Sequence, residues 1–283
     1  MTEADLIRKP FFWLSLALIL FFIFAFSLPD NRLYITFCQV GQGDAILISY
    51  KNKQILVDGG PNKDVLNCLG KNMPFWDRNL EMVVLTHPEK DHLTGLIDVF
   101  KNYKIDYFIS TEVSNSSLGF KEFQRIILEE KPFLFNPQKG DRIKINPLEF
   151  LFLWPEFKMS DKNYTGKDLN ETSVVFQLSF KEFDVLFTGD ISSKIEEVLE
   201  VSEVEVLKVA HHGSSYSTSN NFLDKIKPKL AVICVGKNRF GHPTTEVLER
   251  LKKHSIKILR TDKSEIKVIT NGYYYQLSPS LLE

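Results

Sequence analysis

The sequence predicts an α/β fold in which short strands lead and strand–helix units follow. Three observations carry that expectation. Runs of four to six apolar residues rich in Val, Ile, Leu and Phe recur after residue 33 and end at glycine or polar turns. Between several of them lie segments with apolar residues at helical spacing. Five of the six histidines (His87, His92, His211, His212, His242) fall in short polar stretches just after apolar runs. With 283 residues the chain is long enough for one catalytic-sized domain, and 43% apolar with 25% charged residues describes an ordinary globular protein. The formal charge of −1 gives no global basic field that would draw the chain to nucleic acid or anionic lipid.

Residues 11–28 stand apart. They carry no charge, follow Arg8 and Lys9, and are closed by Pro29-Asp30-Asn31. Such a stretch is just long enough for a hydrocarbon core of about 30 Å. The expectation is a transmembrane anchor, with residues 1–10 cytoplasmic and residues 31–283 across the membrane. Two alternatives stay open: a cleaved signal peptide, since Ala25-Phe26-Ser27 has small-residue character, and a buried helix.

Residues 34–37, 45–48 and 54–57 read as strands, the first two separated by the turn Gly41-Gln42-Gly43-Asp44 and the third ending at Asp58-Gly59-Gly60. Asp58 either caps its turn or braces a metal loop. Residues 81–85 form the next strand and 93–103 a helix, followed by strand 105–109 and helix 120–129 with Phe120, Phe123, Ile126 and Ile127 on one face. Strands follow at 142–145, 148–153, 173–180 and 185–187, with a polar loop at 155–170. Residues 192–200 read as a capped helix, 204–210 and 230–235 as strands, and 245–253 as a helix. Cys38, Cys68 and Cys234 are far apart in apolar or mixed settings and read as buried small hydrophobes.

The chemistry gathers at strand ends. The run Thr86-His87-Pro88-Glu89-Lys90-Asp91-His92 puts two imidazoles and two further carboxylates on one loop at the exit of a buried strand. Asp190, the pair His211-His212, and His242 end three later strands. Imidazole and carboxylate together suit zinc and other divalent first-row metals. In sheets of this kind, such strand ends collect along one edge. His254, at the end of a polar helix, reads instead as a solvated helix-end residue.

These residues carry a resemblance. Val40-Gly41-Gln42-Gly43-Asp44-Ala45, Asp58-Gly59-Gly60, Thr86 through Gly95, Thr188-Gly189-Asp190, Leu207 through Ser214, and Phe240-Gly241-His242-Pro243 occur in order across residues 33–272. The set resembles the metallo-β-lactamase fold, and within it the extracytoplasmic hydrolase-like domain of ComEC-type competence (DNA-uptake) proteins. The resemblance implies a four-layer αβ/βα sandwich with one or two divalent ions, zinc or manganese, at the shared sheet edge. It assigns His87 and Glu89 to one metal, Asp91 and His92 to the other, Asp190 as the bridge and His211 as a further ligand. His212 is implied as ligand or proton carrier, and Asp91 as an alternative proton carrier. His242 is left to complete the shell or contact substrate, with Ser214 in a hydroxyl-rich loop suited to phosphate oxygens. The sequence departs from the wider fold at Glu89, where histidine is usual, and at Asn170-Glu171-Thr172-Ser173, where a middle histidine ligand is usual. Gln39 also stands where aspartate is typical.

The activity implied is metal-dependent hydrolysis of a phosphodiester, foremost DNA outside the cytoplasm, by water made acidic at the metal. A non-catalytic accessory protein and a hydrolase of cell-surface phosphoesters are the alternatives. The partners implied are DNA, a membrane through the N-terminal segment, and a separate DNA-channel protein, because ComEC-type transporters carry many spans and this chain has one candidate.

Overall fold

The computed structural model describes residues 10–27, 30–156 and 168–278. After a helix, α1 (Pro10–Ser27), the chain builds two sheets. The first contains β1 (Leu33–Phe37), β2 (Ile46–Tyr50), β3 (Lys53–Val57), β4 (Asn79–Val84), β5 (Lys104–Ile109) and β6 (Phe133–Phe135), joined late by β14 (Ile266–Thr270) and β15 (Tyr275–Leu277). Its order is β15-β14-β1-β2-β3-β4-β5-β6. The second contains β7 (Arg142–Ile145), β8 (Leu148–Trp154), β9 (Val175–Phe180), β10 (Phe183–Phe187), β11 (Val206–Lys208), β12 (Leu230–Ile233) and β13 (Lys257–Arg260), in the order β13-β12-β11-β10-β9-β8-β7. In each sheet one half is antiparallel and the other parallel, β3 to β6 and β10 to β13.

Alternation along the strands explains the layering. Leu33, Ile35 and Phe37 of β1 face inward with Phe150 and Phe152 of β8 and Phe176 of β9, forming one core between the sheets. Ring pairs such as Phe176 and Phe187, with centroids 4.7 Å apart, fill it. Residues of opposite parity meet helices. Leu47, Leu56 and Val83 pack under α2 (Asp64–Asn72), α3 (Lys90–Asn102) and α4 (Leu118–Glu130). Leu186, Leu207 and Ala231 pack under α5 (Ser193–Val198), α6 (Asn220–Ile226) and α7 (Thr245–Lys253). The expected four-layer αβ/βα sandwich is therefore observed.

Several local expectations change. The metal-loop residues Asp91 and His92 lie in the first turn of α3, which begins at Lys90. The loop expected at 155–170 falls largely in residues that are not described, and the chain returns in a short 3-10 turn, Leu169–Thr172. The cysteines are not all free: Cys38 and Cys68 form a disulfide with Cα atoms 5.8 Å apart, while Cys234 is a buried thiol. Distance in sequence hid that pairing, because the return from β1 to α2 is made through β2 and β3.

The transmembrane expectation is corrected. Residues 10–27 are helical, but among the described residues no helix is long and apolar enough to cross a membrane. Residues 1–9 of the expected cytoplasmic segment 1–10, and residues 28–29, lie outside the described residues.

Candidate metal centre

The parallel strands β4, β10, β11 and β12 all end at one edge, where the two sheets come together. β4 delivers Thr86 and His87, β10 delivers Asp190, and β11 runs into a tight turn carrying His211 and His212. Both histidines of that turn adopt positive φ, 51° and 53°. Left-handed backbone at two successive β-unbranched residues is costly and recurs at functional sites. The turn at Gly43 presses close to the metal loop: a Cβ there would come within 2.2 Å of the Asp91 carbonyl oxygen. Glycine at 43 thus lets Asp44 reach the site.

Three overlapping groups of ligand-type atoms result, the third (Asp44, Asp58 and His92) lying behind the His92 ring, and two face the open edge. His87, His92 and Asp190 form one, and Asp91, His92 and His212 the other, with the ligand atoms of each group within 4.8 Å of one another. Nε2 of His92 and Nε2 of His212 lie 3.4 and 3.2 Å from Oδ2 of Asp190. Asp91 Oδ2 is 3.2 Å from His212 Nε2. His87, His92, Asp190 and His212 are buried, while the side chain of Asp91 keeps 27% of its surface open. That is where solvent or a substrate reaches the group.

Second partners orient each ring. Asp58 accepts from the backbone N–H of Thr86 at 2.7 Å and from its hydroxyl at 2.8 Å, and its Oδ2 meets His92 Nδ1 at 2.8 Å. The bracing role is therefore the observed one for Asp58. His212 Nδ1 donates to the Cys234 carbonyl at 2.8 Å. His87 Nδ1 lies between the hydroxyls of Thr86 at 3.1 Å and Ser173 at 3.3 Å. Each arrangement leaves Nε2 facing the centre. Ser173 also accepts from Asp190 N at 3.1 Å, so the stretch that lacks the fold's middle histidine still touches the site.

Lys208 completes the centre. Its ammonium is buried, pairs closely with Asp44, lies 3.2 Å from Asp190 Oδ1 and donates to the Gly189 carbonyl at 2.8 Å. Burial opposes its charge, yet Asp44 and Asp190 outweigh burial and raise its pKa. Burial likewise opposes charge on His92, but Asp190, Asp58 and Asp44 hold its imidazole well above the usual range. His87 goes the other way: burial and neighbouring His92 push it down to about 3. It is thus a neutral imidazole at any physiological pH.

These residues fit a divalent cation. His87 Nε2 and His92 Nε2 are buried without a hydrogen-bond partner, an arrangement that costs stability unless something accepts the lone pair or the proton. Asp44, Asp58, Asp91 and Asp190 converge there around Lys208, and the same carboxylates hold protons on His92 and His212, so the cluster draws positive charge to the place where an ion would displace those protons. Nitrogen and oxygen donors in this mixture suit zinc and manganese alike.

The remaining expected residues lie at different places. Glu89 is the N-terminal capping position of α3 and joins neither ligand group; burial and the charges of Asp91 and Asp190 raise its pKa. His211, expected as the further ligand, is half-buried outside both groups, and His212 occupies the inner position instead. The His211 ring faces His242, centroids 5.5 Å apart. His242 forms the rim with Phe240, whose ring stacks on it at 5.8 Å. Ser214 is buried in the turn, its hydroxyl accepting from Tyr216 N at 3.4 Å. Lys208 and the reach of Asp44 were missed as site residues. Charged side chains just before His211-His212 and just after the Gly41-Gln42-Gly43 turn, each within an otherwise apolar neighbourhood, were the available signal.

Two sheets sharing an edge lined with His and Asp define a class of protein, the metallo-β-lactamase-type sandwich. The chain belongs to it: residues 38–237 match the metallo-beta-lactamase superfamily. Its homologues include ComE operon protein 3 of Bacillus subtilis, 27% identical over 87% of this chain, and competence protein ComA of Neisseria gonorrhoeae, 30% identical over 84%. Those matches cover 34% and 32% of the relatives, so the chain spans about a third of their length. The domain is thus homologous to part of ComEC-type competence proteins. In fold it is similar to the metallo-beta-lactamase fold protein YhfI of Bacillus subtilis, with TM-score 0.56 and 13% identity over 82% of this chain and 97% of that one.

Proposed function

We propose that this domain is a metal-dependent phosphodiesterase acting on DNA outside the cytoplasm. The observation that carries the hydrolytic part is the buried, unpartnered Nε2 of His87 beside His92 Nε2 and Asp190, all three with ligand atoms within 4.8 Å of one another. In this reading His87, His92 and Asp190 would hold one ion, and Asp91, His92 and His212 would hold a second. A divalent ion held there supplies positive charge to a phosphoryl oxygen and acidity to water at neutral pH. Asp58 keeps the His92 ring in register, and the Cys234 carbonyl does the same for His212. Asp91, open to solvent and 3.2 Å from His212 Nε2, is the group placed to pass a proton to or from a leaving oxygen.

Support for DNA comes from the competence relatives. Support for a site outside the cytoplasm comes from the Cys38–Cys68 disulfide, a bond that persists in oxidising compartments. A separate DNA-channel protein is the partner this reading calls for.

The test is incubation of the full chain with labelled single- and double-stranded DNA in manganese, zinc or chelator, beside Asp91→Ala and His212→Ala. Metal-dependent cleavage lost in both variants supports the reading. One observation favours an accessory protein instead: Lys208 already neutralises Asp44 and part of Asp190. Neither metal binding nor cleavage by the wild type would leave that second reading standing. Metal binding with turnover of small phosphoesters but not DNA would leave the cell-surface substrate class.

A further inference from the structure

A cavity of about 470 Å³ opens beside the metal centre and shares its wall. It lies between the end of β5, the loop at residues 110–117 and one face of α4, and its inner end is formed by His87 and Pro88. That loop is tied to the metal loop directly, since Asn115 Nδ2 donates to the Pro88 carbonyl at 2.8 Å. The floor is aromatic: Phe108, Phe120 and Phe123, with the rings of Phe108 and Phe123 5.5 Å apart. Leu128, 73% exposed, stands at the mouth.

All but one of the polar side chains near the open end of the lining are uncharged. Ser110, Thr111, Ser114, Gln124 and Asn136 offer hydroxyls and amides. Glu112, also in the lining, is engaged by Asn136 Nδ2 at 2.5 Å. No lysine or arginine lines the cavity among the described residues. The Thr111 hydroxyl is buried and has no hydrogen-bond partner there.

We infer that this cavity is a nucleobase subsite, receiving the base next to the scissile phosphate of single-stranded DNA. The inference rests on the phosphodiesterase reading and names the part of the substrate that the adjoining surface binds. A phosphate would need cations, and the lining has none. An acyl chain would leave the hydroxyls and amides facing hydrocarbon, at the cost of their hydrogen bonds. A base satisfies both halves of the lining, with a π face for the phenylalanines and an edge for Thr111 and the amides. The volume is in the range of small-ligand sites. His87 belongs to both the cavity lining and the first ligand group, so a seated base adjoins the metal centre. A base paired inside a duplex cannot enter, so the subsite selects a single strand.

The test uses the full chain in chelator, where turnover is absent, and a short single-stranded oligonucleotide carrying one 2-aminopurine. A second oligonucleotide has an abasic linker at that position and a distal dye. Fluorescence quenching reports stacking, and anisotropy reports affinity for both. Gln124→Trp, at an exposed position on α4, fills the mouth without entering the core, and Thr111→Val removes the unpartnered hydroxyl at nearly constant shape. We expect about tenfold tighter binding of the base-bearing strand, a difference erased by Gln124→Trp and reduced by Thr111→Val, with circular dichroism unchanged. Equal affinity for the two strands, or quenching that survives Gln124→Trp, overturns the subsite. Cleavage in manganese is measured separately. A wild type that discriminates the base but hydrolyses neither strand overturns the phosphodiesterase reading while keeping the subsite.

Discussion

The ammonium of Lys208 lies 3.2 Å from Oδ1 of Asp190, while the other oxygen of that carboxylate meets His92 and His212. Asp190 is thereby divided, one oxygen toward a permanent cation and one toward the ligand group. Against burial, His212 first and then Lys208 and His92 hold Asp190 well below the usual carboxylate range. The pair fixes where the carboxylate points before any metal arrives.

Replacing Lys208 by Met is therefore expected to destabilise the metal-free protein by about 3–5 kcal/mol, the usual cost of stranding a buried partner charge. Manganese or zinc should recover more stability in Lys208→Met than in wild type, because the ion takes over the missing charge. Thermal denaturation with and without metal measures this. An equal metal-induced rise in Tm for both proteins would remove the charge-sharing account.

The two histidines of the β11 turn should separate in function. His212→Ala removes a group 3.2 Å from both Asp91 and Asp190, and it should lower metal-dependent hydrolysis by at least about 10²-fold. His211→Ala, which alters the rim beside His242, should act mainly on KM. Steady-state kinetics on one substrate, together with metal content of each variant, decides between this order and the reverse.

Reduction of the Cys38–Cys68 disulfide should weaken the domain. The bridge closes a loop of 30 residues, for which chain entropy gives about 3–4 kcal/mol. A Cys38→Ser, Cys68→Ser double variant should lose a similar amount in urea titration, and reductant should leave its midpoint unmoved. A wild-type midpoint insensitive to reductant would contradict the bridge.

Glu196 supplies a pH dependence away from the metal centre. It is buried and accepts the backbone N–H groups of Thr218 and Ser219, pinning the loop that follows the histidine turn. Burial raises its pKa above 4.5 despite those hydrogen bonds. A carboxyl whose folded pKa is raised contributes stability that is complete below the unfolded pKa and lost as pH climbs through the folded value. The stability difference between wild type and Glu196→Gln should accordingly shrink as pH rises from 4.5 toward 7. Denaturant midpoints at three pH values test it, and a constant difference would show that the carboxyl does not titrate in that window.

Much of this layout is visible in the residues. Strands such as β3 and β5 announce themselves by apolar runs bounded by turns, and α4 and α7 by helical spacing. Elements without such contrast escaped. α2 mixes Asp, Asn, Lys and Gly with three buried residues, and α6 is only seven residues long. β14 and β15 follow a polar stretch and gain their identity by pairing back to β1. The site shows the same division. His87, Asp91, His92 and Asp190 stand at strand exits where sequence position alone marks them, whereas choosing His212 over His211 depends on which side of a left-handed turn each ring leaves.

The class of fold, the strand-end histidines and the family are legible in the residues alone, because apolar periodicity and an ordered set of loop motifs are local properties of the chain. The tertiary structure decided the rest. It paired Cys38 with Cys68, set Lys208 between Asp44 and Asp190, held Glu89 and His211 outside the ligand groups, and opened an aromatic cavity free of lysine and arginine behind His87. Those facts depend on distances between segments from about 20 to more than 160 residues apart in the chain, fixed only when both sheets pack and bring their parallel strand ends to one edge.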